Sequence, residues 1–581
     1  MKLNIIKAIV PAAALLLAGG MSSCMNDLDK GNIDPNAQSE VDINALYSKC
    51  YAGLIMEGND GSADFTIDDP GRSTLTRNLY NFNSLPTDEG ICWWSDGGIV
   101  DICYNQCTPS TPTLNFLYYR LVSNISFCNH YIELGQGDPT MLAEIRVIRA
   151  YNYYLMLDFF GDPPFTTSIS PDAPKQAHTY NSKFVAGQSY TRAELLAMGR
   201  EFMFNWIKDE LVDAEANLQD AHKKTSESDA DYGRIDKAAA WLLLSRLYLN
   251  AGTYLNNDGQ NNPYWAEALS YAEKCINSNY ELFDDTKMTQ TAKDAGYKPY
   301  DLLFMGDNGS NGASCEAILP LLQDGMKTRG WGGSMFFMAA MYSSDMTTVT
   351  GLTSATTQGF WRGMRLRPQF LKTVFRSDAE AYLGKNAQEN RAASSDDREI
   401  FNGKDYYNDT DKQWHKRTFD LGDNSDFGQG IVTPKWSNNY STGTTPHDVE
   451  YVDTDFFLFR LAEAYLNAAE AEIQLNGINS AKAKQYMDAI RNRAHAKVQG
   501  SYTLQDVLDE RGREFYFEGM RRPDLIRFNQ YGGQNKYKWE YMNGVPEGAR
   551  FDKAYNLFPI PSSEIQANSN LTQIDGYSEI E

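Results

Sequence analysis

Ile235 to Asn250 contains Lys237-Ala238-Ala239-Ala240-Trp241-Leu242-Leu243-Leu244 and stops at Ala251-Gly252. A second stretch, Tyr264 to Asn277, carries Ala268, Tyr271, Ala272 and Cys275. Both have the apolar spacing of helices, and the short polar segment between them folds one back on the other. Alanine at the facing positions lets the two helices cross closely.

The pattern recurs along the chain. From Thr140 to Phe160, Leu142, Ile145, Ile148, Tyr151 and Leu155 share one face, and Gly161-Asp162-Pro163-Pro164 ends the run. A third block, Asp455 to Leu475, places Leu458, Leu461, Ala462, Tyr465, Ala468, Ala469 and Glu472 together before Asn476-Gly477. Its partner runs from about Ser480 to Ala496, and a further helix spans Thr503 to Gly519. Helix pairs with alanine at the crossings resemble tetratricopeptide packing, although the repeat consensus is absent. The expected fold is mainly α, a tetratricopeptide-like helical-repeat scaffold with a loop-rich capping region that carries little β structure.

Two regions interrupt the helical pattern. Residues 58–112 and 281–452 are rich in Gly, Asn, Asp, Ser and Thr, and loops of that length are uncommon unless they are functional or form their own substructure. The length of 581 residues corresponds to roughly three to four domain equivalents, but a helical array absorbs it as one unit. We expect a single unit over 41–581, with scaffold at 41–57, 113–280 and 453–530 and the two loop regions laid over one face.

The first residues read as an export leader. Met1-Lys2-Leu3-Asn4-Ile5-Ile6-Lys7 precedes an apolar run from Ala8 to Ala18, too short to span a bilayer. Gly19-Gly20-Met21-Ser22-Ser23-Cys24 then resembles a lipoprotein cleavage box, with Met21 where Leu is usual. Residues 1–23 are expected to be a signal peptide, Cys24 an acylated first residue that anchors the chain to a membrane, and 24–40 a polar tether. An ordinary secreted protein with an incidental Cys24 is the plainer alternative.

The formal net charge is −23, and it becomes more negative when Lys2 and Lys7 leave with the leader. That excludes a nucleic-acid partner, which requires basic patches, and suits neutral ligands. Of the eight cysteines, Cys92, Cys103, Cys107 and Cys128 cluster, which leaves room for a disulfide or two in an oxidising compartment. A zinc site is disfavoured there: the cluster has no C-x-x-C and only His130 nearby. Six scattered histidines, with no H-E-x-x-H, G-x-S-x-G or phosphate-binding glycine loop, give no catalytic motif. No nucleotide, redox or metal cofactor is implied, and no calcium loop of the D-x-[DN]-x-[DN]-G-x5-E type is present. With 76 acidic residues, a glycoside hydrolase, which needs two carboxylates at a set separation, stays open as a rival; a helical-repeat protein-assembly role is a third reading.

Seven blocks, in order, make the chain recognisable: Cys24-Met25-Asn26-Asp27-Leu28-Asp29; Leu85-Pro86-Thr87-Asp88-Glu89; Ala143 to Tyr151 with Phe160-Gly161-Asp162-Pro163-Pro164; Gly233-Arg234-Ile235-Asp236-Lys237-Ala238-Ala239; Phe459 to Leu466; Arg513-Glu514-Phe515-Tyr516-Phe517-Glu518-Gly519; and Phe558-Pro559-Ile560-Pro561. They resemble the SusD/RagB family, the surface glycan-binding lipoproteins of Bacteroidetes. The resemblance covers nearly the whole mature chain. It implies four tetratricopeptide-like units under a loop-rich cap, an outer-membrane location, and partnership with a SusC-like TonB-dependent outer-membrane transporter. It also implies that oligosaccharide or polysaccharide is bound and not cleaved.

Sugars present flat C–H faces and rings of hydroxyls, so aromatic side chains in loops beside polar groups are the candidate ligands' partners. Trp93-Trp94 sits in Gly90-Ile91-Cys92-Trp93-Trp94-Ser95-Asp96-Gly97-Gly98, where one of the two is expected to pack inward. Trp331 sits between Gly330 and Gly332, whose lack of side chains suits either a close ligand or a tight turn. Phe360-Trp361-Arg362 follows Gln358-Gly359.

Around Leu85 to Glu89 and Gln323 to Arg329 the chain is similar to a starch-binding member of the family, in which an arc of three aromatics with an Arg and an Asn cradles an α-glucan. By that similarity Arg77 matches the Arg, Trp94 and Trp331 the first two aromatics, and Phe360 or Trp361 the third. The Asn falls on Gly97, with Asp96 a substitute. Starch-type α-glucan is favoured weakly, and other curved glycans, fructans included, fit the same arc. Trp436 is read as packed, and the cluster of Arg511, Arg513, Glu514, Glu518, Arg521, Arg522, Asp524 and Arg527 as a structural network, with Glu518 and Arg522 spaced for a helical ion pair.

Overall fold

The computed structural model describes residues 41–58, 62–67, 69–342, 361–408, 411–422, 427–448 and 450–577. The chain divides into two units, Met1–Leu46 and Tyr47–Glu581. Of the first, only 41–46 are described, where helix α1 (Ile43–Ala52) begins; Cys24 and the tether lie outside the described residues.

The second unit is mainly helical. In chain order it carries α2 (Leu75–Asn83), β1 (Gly90–Cys92), α3 (Pro112–Leu134), α4 (Pro139–Phe160), α5 (Arg192–Glu215), α6 (Lys237–Leu249) and α7 (Trp265–Ile276). Then follow β2 (Ala317–Leu321), α8 (Gly333–Met341), β3 (Met364–Leu366), β4 (Phe456–Arg460), α9 (Leu461–Asn476), α10 (Ala481–Arg493), α11 (Leu504–Phe515) and α12 (Arg521–Arg527). Helices pair in sequence as tetratricopeptide-like units: α3 on α4, α4 on α5, α6 on α7, α7 on α9, α9 on α10. The alanines explain the close crossings. Ala268 and Ala272 of α7 and Ala462, Ala468 and Ala469 of α9 are fully buried, and the Ser245 hydroxyl reaches the Ala268 carbonyl at 2.9 Å.

Helix ends follow the local signals. Asp138 accepts from the backbone N–H groups of Thr140 and Met141, ahead of Pro139 in the first turn of α4. Thr191 and Glu194 form a capping box on α5, and Asp236 caps α6.

Three expectations change. The block from Asp455 begins as strand β4, antiparallel to β2, and becomes helical only at Leu461. Phe456-Phe457-Leu458-Phe459 is a short apolar run, which periodicity cannot divide between strand and helix. The helix expected to reach Gly519 ends at Phe515, before Phe517 (φ 60°) and Gly519 (φ 72°) turn the chain. That break also removes the helical Glu518–Arg522 pair: Glu518 instead meets Arg460 and Lys435 at 2.8 and 2.7 Å, and Arg522 meets Asp158 at 2.7 Å.

The C-terminal charges form a buried network. Glu514 receives Arg460, Arg398 and Arg493, and Glu510 receives Arg398, Arg491 and Arg513. Burial pushes the Glu510 carboxyl up, but the three guanidiniums outweigh it and hold the group at about 2. Trp436 packs against both Phe337 and Phe456 at centroid distances of 5.3 Å each, and those two rings are themselves 5.7 Å apart. The seven described cysteines, Cys92, Cys103, Cys107 and Cys128 among them, are buried thiols with no disulfide. Among the described residues no helix is long and apolar enough to cross a membrane.

The feature that positions the candidate site is a short two-stranded sheet. β1 pairs with β3 antiparallel, Gly90 opposite Leu366, Ile91 opposite Arg365 and Cys92 opposite Met364. This ladder ties the two loop-rich regions to each other across nearly half of the chain.

Candidate functional site

Extending the β1–β3 register by two residues sets Trp94 opposite Arg362, and the contact is made there. The Trp94 indole N–H donates to the Arg362 carbonyl oxygen at 2.7 Å. Trp361, one residue earlier, meets the Trp94 ring edge-on at 6.1 Å between centroids. Its backbone N–H is held by the Ala339 carbonyl near the end of α8 at 2.8 Å. The turn depends on Arg362 (φ 58°) and Gly363 (φ 102°), where a Cβ would stand 2.1 Å from the Trp94 indole nitrogen. Trp93 packs inward, edge-on to Tyr104 and Tyr541.

Arg77 comes from α2 and is buried. Its guanidinium lies over Trp94 at 5.5 Å and Phe336 at 5.1 Å, and Asp69 stands 3.7 Å away. Burial pulls the Arg77 pKa down, while the Asp69 and Asp96 carboxylates pull it up. Its Nε has no hydrogen-bond partner among the described residues. Asp96 lies 3.8 Å from Arg72, whose own guanidinium covers Phe116.

Trp331 is placed from beneath. Its backbone N–H donates to the buried Glu57 carboxylate at 2.9 Å, and its ring leans on Tyr451 at 5.3 Å. The flanking glycines answer to packing: a Cβ at Gly332 would stand 2.3 Å from Thr74, and one at Gly330 would stand 2.9 Å from Glu57. Packing against Glu57 and Thr74 accounts for glycine at both positions.

These side chains line one cavity of about 450 Å³. Arg77, Trp94, Asp96, Trp331 and Trp361 border it together with Asp69, Pro70 and Phe427. Five of the six residues drawn from the sequence therefore converge; Phe360 lies outside the described residues. Trp331 and Trp361 are half-buried, whereas Trp94 is only 8 % exposed. Trp94 is thus as much a brace as a surface. Gly97 offers no side chain, and a Cβ there would sit 3.0 Å from Pro112.

Asp69 and Phe427 were not drawn from the sequence. Phe427 has the cue used for the tryptophans, an aromatic beside glycine in a polar stretch, but nothing local connects it to residues more than 300 positions earlier. The arrangement offers indole and phenyl surfaces to an apolar face, and a guanidinium and two carboxylates to hydroxyls. Among the described residues no group of three or more His, Cys, Asp or Glu is placed to hold a metal.

A profile of the SusD family matches residues 334–577. Starch-binding protein SusD of Bacteroides thetaiotaomicron is 34% identical, over 99% of this chain and 100% of that protein. A SusD superfamily protein from Parabacteroides distasonis superposes with TM-score 0.61 at 19% identity, covering 92% of this chain and 98% of its own. Surface glycan-binding protein A from Bacteroides thetaiotaomicron, solved with laminarihexaose, superposes with TM-score 0.58 at 17% identity, again over 92% and 98%. At those identities the two structures speak for the fold.

Proposed function

The chain belongs to the SusD family, and on that premise we propose that it is a surface receptor that captures oligosaccharide or polysaccharide in the Trp94–Trp331–Trp361 cavity without cleaving it. The observation that carries this reading is the convergence of three indoles with Arg77, Asp69 and Asp96 on one open cavity. Sugar rings are bound by such pairings of aromatic faces with hydrogen-bonding groups. Both carboxylates face arginines, Asp69 at Arg77 and Asp96 at Arg72, an arrangement that suits holding hydroxyls better than moving protons.

The relative's name, starch-binding, supports starch-type α-glucan as the first ligand to test, ahead of fructan. Gly97, where the resemblance calls for Asn, removes one hydroxyl contact and keeps the linkage open. Cys24 acylation would hold the receptor at the outer-membrane surface, where it would pass glycan to a SusC-like TonB-dependent transporter.

Calorimetric titration of the soluble chain with starch, fructan, xylan and host O-glycan oligosaccharides, with product analysis, tests the reading. Saturable heat without cleavage, lost in a Trp331→Ala/Trp361→Ala double variant that melts like the parent, is expected. Released product would make the protein a hydrolase. Unchanged binding in the double variant would move the site elsewhere.

A further inference from the structure

Buried arginines in this protein are almost all spoken for. Arg246, Arg460, Arg522 and Arg527 each meet a carboxylate at 2.7 Å or closer. Arg367 donates to the backbone carbonyls of Gly90, Leu85, Cys103 and Glu540. Arg200, on α5, has neither kind of partner. It is 6 % exposed, yet no carboxylate among the described residues lies within ion-pair distance. Its Nε is packed on Gly161 without a hydrogen-bond partner, and its one hydrogen bond is a long 3.5 Å contact to the Asn257 side chain.

The nearby buried acid is already engaged. Asp158 takes Arg522 at 2.7 Å and the Tyr254 hydroxyl at 3.0 Å, and it acts on Arg200 only from beyond ion-pair distance. Burial pulls the Arg200 pKa down to about 10, against the weaker pull of Tyr254 and Asp158. An uncompensated buried charge is costly, and this one borders a cavity of about 460 Å³. Leu196, Leu255, Leu557 and Ile574 supply apolar walls. At the rim, Lys553 is engaged by the Asn257 carbonyl, while Asp552 and Asp575 disfavour a multiply charged anion. The cavity shares no lining residue with the aromatic one.

We propose that Arg200 and this cavity form a second binding site, for a small monocarboxylate with an apolar body. The planar guanidinium would pair with the carboxylate in the geometry arginine favours, and the leucine and isoleucine walls would cover the apolar part.

Benzoate is the probe, added to the full chain in a carboxylate-free buffer. Saturable binding and a raised melting temperature are expected. Arg200→Met should weaken binding by more than about tenfold, the loss of a charge-assisted contact. Without benzoate that variant should melt no lower than the parent, because it removes an unpaired buried charge. Ala197→Phe, on the exposed cavity wall, should block benzoate and leave the melting temperature alone. No saturation in the parent, equal benzoate affinity in Arg200→Met, or preference for inorganic phosphate over benzoate would each overturn the site. So would a large fall in the melting temperature of Arg200→Met, which would make Arg200 a structural residue.

Discussion

The Trp94 indole N–H donates to the Arg362 carbonyl across 2.7 Å, joining two segments 268 residues apart at the wall of the aromatic cavity. Trp94→Phe keeps most of the ring and removes the donor. An unmade hydrogen bond at this partly buried carbonyl costs about 1 kcal/mol, so unfolding by denaturant should show a loss of that order. Trp94→Ala also empties a buried site and should cost about 3–5 kcal/mol. An unfolding midpoint unchanged in Trp94→Phe would show that the tie does not hold the two segments together.

Gly363 makes that tie possible. At φ 102° it occupies a region that disfavours side chains, and a Cβ would collide with the Trp94 indole. Gly363→Ala should displace Trp94, change its near-ultraviolet circular dichroism, and cost about 1–3 kcal/mol in strain. Glycan affinity should fall with it. An unaltered spectrum and affinity would mean that the turn relaxes without moving the ring.

Phe427 supplies a fourth aromatic surface to the cavity. It is half-buried, with the Arg365 guanidinium 6.0 Å from its ring. Phe427→Ala should weaken glycan binding by about 1 kcal/mol, roughly fivefold, with little change in stability. Titration of the variant beside Trp331→Ala would rank the two surfaces, and an unchanged affinity would remove Phe427 from the site.

The tryptophans were readable because a loop Trp beside glycine and aspartate has few reasons to be there, and the helical pairs because alanine at crossings is a local signal. The three-residue strands β1 and β3 were not readable. Gly90-Ile91-Cys92 and Met364-Arg365-Leu366 are too short to show alternation, and their pairing is non-local. The charged residues from Arg511 to Arg527 were recognisable as a network, but partners such as Asp88 for Arg521 and Glu470 for Arg527 come from distant segments. Arg200 gives no sequence signal at all: its character lies in the absence of a partner, which only packing reveals.

The Glu510 cluster predicts how the protein responds to acid. Glu510 is fully buried and meets Arg398, Arg491 and Arg513 at 2.7, 2.5 and 2.9 Å. Its folded pKa of about 2 lies below the ordinary carboxyl value of 4.5. The sign follows: the folded state holds the charged form more tightly, so the contribution is complete above about pH 4.5 and disappears as pH falls toward 2. At about 1.4 kcal/mol per pKa unit, it amounts to roughly 3 kcal/mol at neutral pH. Glu514 is shifted downward too, burial again being outweighed by Arg493, Arg460 and Arg398, so the two reinforce each other. Glu510→Gln leaves three guanidiniums short of a counter-charge and should lose about 3–5 kcal/mol near pH 7. Its stability should then fall less steeply than the parent's between pH 4.5 and 2, where the parent surrenders the same interaction by protonation. Urea midpoints measured across pH 2–7 for both proteins decide the matter: converging curves at low pH support the linkage, and parallel curves would show that Glu510 titrates alike in the folded and unfolded chains.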